Sequence, residues 1–207
     1  MTSNRNDGVD DGDAKDGVAK DGATNDRAIL DAAAQTVLAV GMRRTTLAEV
    51  ARRAGVSRPT VYRRWADVRT LTADLLTREL VALLPAEGTD GERALGIDRI
   101  VRTTAAARTH PLFRKILETD PELLITYVFD RLGASQHRIL ELLTSAIRQG
   151  QQDGTIRDGD PDELAAMVLL VIQSAVLSAR IVADPLPPER LDAQLRALLE
   201  SYLRLEE

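Results

Sequence analysis

The chain has 207 residues, 44% of them hydrophobic and 29% charged, with a net charge of −5. That length supports one large or two small globular units with cores of their own. The absence of cysteine excludes a disulfide framework and thiolate chemistry, and the acidic total argues against a protein that coats nucleic acid indiscriminately.

Residues 1–25 read as a disordered acidic tail. Asp-Gly pairs recur there (Asp7-Gly8, Asp11-Gly12, Asp16-Gly17, Asp21-Gly22), and so little apolar surface cannot offset the chain entropy of folding. From Asp26 onward the periodicity is helical. Ile29, Ala33, Val37 and Val40 share one face, and Gly41 closes that helix. Thr46 opens a second helix, and Glu49 three residues on completes a Thr-x-x-Glu capping box. Its apolar stripe is Leu47, Val50, Ala51 and Ala54, and Gly55 stops it. Ser57 caps a short third helix with Pro59 in the first turn. Val61 and Trp65, one turn apart, face inward. Asp67 caps a fourth helix that runs through Leu71, Leu75, Leu76 and Leu80 to about Leu84.

Past a linker at Glu87–Gly91, helices are expected over Arg93–Arg108, from Pro111 to about Thr119, from Asp120-Pro121 to near Gly133, and over Ser135–Gln152. Two more follow, from Asp160-Pro161 to about Val182 and from Glu189 to Leu203. No strand pattern of convincing length occurs. The expected fold is all-α: residues 26–84 carry a three-helix helix–turn–helix unit plus a linking fourth helix, and residues 92–207 form a second helical bundle. No signal peptide is visible and no apolar run reaches bilayer-spanning length, so a cytoplasmic location without membrane contact is expected.

Charge is segregated along this plan. Residues 1–26 carry three basic and seven acidic groups, residues 27–78 ten and four, and residues 79–207 fourteen and twenty-one. The one basic block is the one that holds the helix–turn–helix pattern. A local basic face supplies phosphate attraction, while the acidic remainder opposes indiscriminate binding.

The stretch from Thr46 to Trp65, TLAEVARRAGVSRPTVYRRW, places two short helices around a tight glycine turn. With Val61 and Trp65 docked, Arg58, Thr60, Arg63 and Arg64 are left outward. Arginine presents a rigid fork suited to guanine edges and phosphates. Thr60 and Tyr62 bring hydroxyl donors, and Thr46 sits where free helix N–H groups can hold a phosphate. Residues Arg27–Leu76 resemble the N-terminal domain of tetracycline-repressor (TetR) family regulators. The resemblance rests on Thr45-Thr46, Ala51-x-x-Ala54-Gly55-Val56-Ser57, Pro59-Thr60-Val61-Tyr62 and Trp65. It implies a homodimeric, operator-binding transcriptional regulator, usually a repressor, with Thr46, Arg58, Pro59, Thr60, Tyr62, Arg63 and Arg64 at DNA-facing positions. Many members carry a phosphate-facing lysine at the start of the fourth helix. Here Val68 stands there, with Arg69 beside it as the candidate replacement.

A recognition helix of two turns reads only a few base pairs, so specificity calls for two half-sites and a two-fold dimer. The helix containing Leu164–Leu177 is apolar nearly all round and needs cover on both sides. Leu164, Val168, Val171 and Ile172, with Leu195 and Leu199 of the last helix, are the candidate interface. The resemblance also implies a small-molecule effector pocket in the second bundle, in the stretch holding Leu112, Phe113, Leu117, Leu124, Tyr127, Val128 and Phe129. Its ligand residues stay unassigned. Two histidines and no cysteine give no metal-site spacing, and no cofactor is expected. No catalytic motif supports an enzyme. A helical protein-interaction module without DNA binding is the other alternative, and the basic block with Pro59-Thr60-x-Tyr62 argues against it.

Overall fold

The computed structural model describes residues 12–84, 93–120, 122 and 133–205. Among them are nine α-helices and no strand: α1 Gly12–Val40, α2 Leu47–Ala54, α3 Arg58–Arg64, α4 Val68–Leu83, α5 Arg93–Thr109, α6 Pro111–Thr119, α7 Ala134–Gln152, α8 Pro161–Leu177 and α9 Pro188–Tyr202. Short 3-10 turns at Met42–Arg44 and Ala179–Val182 follow α1 and α8. None of these helices is long and apolar enough to cross a membrane.

α1 starts at Gly12, so residues 12–25 continue a helix where the sequence suggests disorder. Ile29, Ala32, Ala33 and Val37 are fixed in a core, and lengthening an existing helix needs no new nucleus. Residues 1–11 of the expected tail lie outside the described residues. So does nearly all of the helix expected from Asp120-Pro121 to Gly133, with Leu124, Tyr127, Val128 and Phe129. α8 ends at Leu177, short of Val182, and a 3-10 turn takes over.

Two cores organise the chain. The first joins α1, Met42, Leu47, Val50 and Ala51 of α2, Val61 and Trp65, and Leu71, Leu75 and Leu76 of α4. It also takes Leu112, Phe113 and Ile116 of α6. The second joins Ile97 and Val101 of α5, Leu143 and Ile147 of α7, Leu164, Ala165, Val168 and Leu169 of α8, and Leu195 and Leu199 of α9. α6 therefore belongs by sequence to the second bundle and by packing to the first core. Leu112, Phe113 and Leu117 line that first core rather than a separate pocket. α4 packs on α1 and also reaches α5 and α7, so it spans both parts.

Candidate nucleic-acid interface

The turn between α2 and α3 is built from local chemistry. Gly55 closes α2 at φ 69°, in the left-handed region that glycine enters without a Cβ penalty. Ser57 Oγ accepts the Thr60 N–H at 3.3 Å and lies 2.7 Å from Thr60 Oγ1. Thr46 Oγ1 accepts the Glu49 N–H at 3.2 Å, which is half of the expected capping box. The reciprocal half is not formed. The Glu49 carboxylate is taken instead by Arg52 Nε and Nη2, at 2.8 and 2.6 Å, and by Arg53 Nε at 3.0 Å. Charged donors outcompete a backbone amide for a carboxylate. Those hydrogen bonds, Arg52's foremost, hold the Glu49 carboxyl down at about 2.

α3 is docked by its inward side. Val61 and Trp65 are fully buried, and the indole Nε1–H donates to Asp74 Oδ2 of α4 at 2.9 Å. The buried Trp65 ring thus has its polar atom satisfied and its orientation fixed. The opposite side carries Arg58, Pro59, Tyr62 and Arg63, all exposed, with Tyr62 at 52% of its free accessibility. Thr60 is half-buried beside them. Arg58 and Arg63 make no ion pair among the described residues. Two guanidinium groups and a phenol therefore project together from one docked helix.

Arg64 stands apart from this set. Its side chain is largely exposed, but its guanidinium turns back onto the protein. Nε donates to Asp26 Oδ2 of α1 at 3.1 Å, Nη2 lies 3.9 Å from Asp74, and Cζ sits 5.3 Å from the centroid of the Trp65 ring. At the start of α4, Asp67 accepts the Thr70 N–H at 2.8 Å. That bond heads the causes that hold its carboxyl below the usual range. Val68 is half-buried against the first core. Arg69 is exposed and close enough to Asp67 to help lower it. Arg44, just ahead of Thr46, is a further exposed cation without an ion pair among the described residues. The paired arginines before the Thr46 cap were the signal for it.

The candidate dimer residues face the second core of the single chain. Leu164, Val168, Leu195 and Leu199 are buried inside the single chain, and Val171 and Ile172 are packed against the same core. α5 and α7 cover the sealed part of that face and leave Val171 and Ile172 half-buried. The uncovered large apolar residues include Met167 and Leu170 of α8 and Leu198 of α9, with Ile181 and Val182 in the turn after α8 and Leu205 beyond α9. An all-round apolar helix gives no periodicity from which to choose the covered side.

Residues 29–72 match the family described as bacterial regulatory proteins, tetR family, and residues 126–195 match a tetracyclin repressor-like C-terminal domain. An HTH-type transcriptional regulator of Mycobacterium tuberculosis is 42% identical over 178 residues, spanning 84% of this chain and 92% of that protein. Similar solved folds include the tetR regulator tylp from Streptomyces fradiae, with TM-score 0.60, 22% identity, and coverage of 88% of this chain and 87% of that one. The SmeT–triclosan complex gives TM-score 0.58 and 18% identity, covering 87% and 91%.

Proposed function

Because the chain belongs to the tetR family of bacterial regulatory proteins, a family of DNA-binding regulators, we propose that it is a homodimeric repressor that a small molecule releases from its operator. The observation that carries the DNA contact is the partition of α3. Val61 and Trp65 are sealed inside while Arg58, Tyr62 and Arg63 project together. Arg58 and Arg63 serve base edges or phosphates, Thr46, Thr60 and Tyr62 serve phosphates, Pro59 packs along the backbone, and Arg69 supplies the contact that Val68 cannot.

Dimerisation is supported by the apolar side chains that α8 and α9 leave outward, Met167, Leu170 and Leu198. A second copy related by a two-fold axis would cover both stripes and set the half-site spacing. Triclosan bound to SmeT supports a small-molecule effector here. α4, spanning both cores, is the lever: an effector favours one separation of the two α3 helices, and DNA favours another.

The test is selection of bound fragments from genomic DNA with the purified chain, followed by retention at rising salt. A preferred, two-fold-related sequence with steep loss of affinity is the expected result. Sequence-blind or salt-insensitive retention would overturn it. Transcription from a promoter carrying the selected site should fall when the protein is added, and a rise would make it an activator.

A further inference from the structure

We infer that the second bundle binds an anionic small molecule with an aliphatic body, and that Arg108 holds its anionic head. This rests on the effector-responsive reading above and names the chemistry of that effector. Arg108 lies near the end of α5 with only 9% of its side chain exposed. One edge of the guanidinium is satisfied: Nη2 donates to Asp192 Oδ1 of α9 at 2.5 Å. The other amine, Nη1, is buried with no hydrogen-bond partner among the described residues. An unmet buried donor carries the full desolvation cost of its group, and more so when the group is charged. Such an atom calls for something that accepts from it.

Its position points the same way. Ile97, Val101 and Thr104 precede Arg108 at helical spacing, and the first two lie in the second core. Three residues after Arg108 the chain enters α6, which packs into the first core. Arg108 therefore sits at the seam between the cores. Its partner Asp192 lies in the first turns of α9, at the end of the bundle where α8 finishes. There α8 is incompletely closed. Val171, Ile172 and Ala175 are half-buried, whereas Leu164, Ala165, Val168 and Leu169 in its first half are sealed. A cationic donor with a spare amine and unsealed aliphatic surface occur at one end. A cation would be repelled by the guanidinium. A carboxylate, accepting from the planar fork, is matched to it.

The test uses thermal unfolding of the full chain with octanoate, acetate and octanamide as probes. Octanoate should raise the midpoint, with octanamide and acetate at the same concentration giving at least tenfold weaker apparent binding. Arg108→Gln should lose the octanoate shift. Arg108→Lys should also lose at least tenfold in apparent affinity, because it keeps the charge beside Asp192 but removes the second amine. Asp192→Asn, which removes the rival carboxylate, should bind octanoate severalfold more tightly. Octanamide matching octanoate, an unchanged shift in both Arg108 variants, or no shift with any anion would overturn the inference. Acetate matching octanoate would overturn its aliphatic half. Operator retention without probe is measured on the same samples. Its loss in the wild type would defeat the DNA-binding reading and leave the anion result standing, while failure of the anion arm alone leaves operator binding intact.

Discussion

Asp120, at the end of α6, accepts the backbone N–H of Met42 at 3.2 Å across 78 positions of sequence. The same carboxylate lies 2.9 Å from Arg43 Nε and accepts the Thr119 hydroxyl at 2.9 Å, and Arg43 also pairs with Glu122. The 3-10 turn that launches α2 is thereby tied to the helix that leads out of the second bundle. A second tie runs through α4. Arg78 Nη1 donates to Asp31 of α1 at 2.7 Å, and Glu79 faces His110 Nε2 at 3.4 Å. Side-chain contacts thus join the two ends of α6 to the start of α2 and to the last turns of α4.

Asp120→Ala should expose the worth of the first tie. Met42 is buried, so its N–H would lose its acceptor without gaining water. We expect about 1–3 kcal/mol of destabilisation in denaturant unfolding, with faster amide exchange at Met42. Unchanged stability and unchanged exchange together would show that the carboxylate is dispensable.

Single substitutions should sort the arginines of α3. Arg58→Ala and Arg63→Ala should each cost about 1–3 kcal/mol of operator affinity if they reach bases, or lower the salt slope by about one if they reach phosphates. Arg64→Ala should cost less, because its guanidinium already serves Asp26. Equal losses at Arg63 and Arg64, measured by mobility shift, would refute that ranking.

The two sides of α8 should behave differently. Leu170 is 59% exposed and Val168 1%. Leu170→Asp should yield a folded monomer with weakened specific binding. Val168→Asp should lose helicity, because it buries an unpaired charge. Sedimentation and circular dichroism decide the matter: a folded, dimeric Leu170→Asp protein would remove this face from the interface.

Glu49 carries a pH dependence of defined sign. Its folded-state value of about 2 lies below the ordinary 4.5. The stability contributed by its pairs with Arg52 and Arg53 is therefore fully present above about pH 4.5. It is lost as pH falls toward 2. Glu49→Gln should flatten the acid limb of the unfolding curve in that window, and a wild-type acid limb that stays unchanged by the substitution would contradict the pairing.

Gly150 lies within α7, where alanine ordinarily strengthens a helix. Here a Cβ would meet Ile156 Cδ1 at 2.6 Å and Cγ1 at 2.7 Å. Ile156 is buried in the second core, so it has little room to yield. Gly150→Ala should lower stability by about 1–3 kcal/mol through overpacking. A rise in the melting midpoint would mean that the isoleucine swings clear.

Short-range physics made most of the helix–turn–helix readable from the residues alone. The Thr46, Ser57 and Asp67 caps, the Gly55 turn and the Val61–Trp65 spacing each depend on neighbours within a turn or two of the chain, and each forms as expected. Of the set that spacing left outward, Arg58 and Arg63 are exposed, Thr60 is half-buried, and Arg64 is turned back onto Asp26, while Pro59 and Tyr62 also stand exposed. Competition between partners did not follow. Glu49 could have closed a capping box, and Arg64 could have joined the outward set. Which bond each makes depends on where Arg52, Arg53 and Asp26 come to rest.

The amino-acid order determined that the chain is helical, where α2, α3 and α4 are capped, and which side of α3 docks, because those features have periods and caps. Folding in three dimensions decided that α6 joins the first core, that Asp120 reaches Met42, that Leu170 rather than Val168 faces outward, and that Arg108 keeps a buried amine with no acceptor among the described residues. Each of those depends on contacts between segments tens of residues apart. A helix apolar on every side, or a lone buried charge, leaves no repeating pattern along the chain to announce its neighbours.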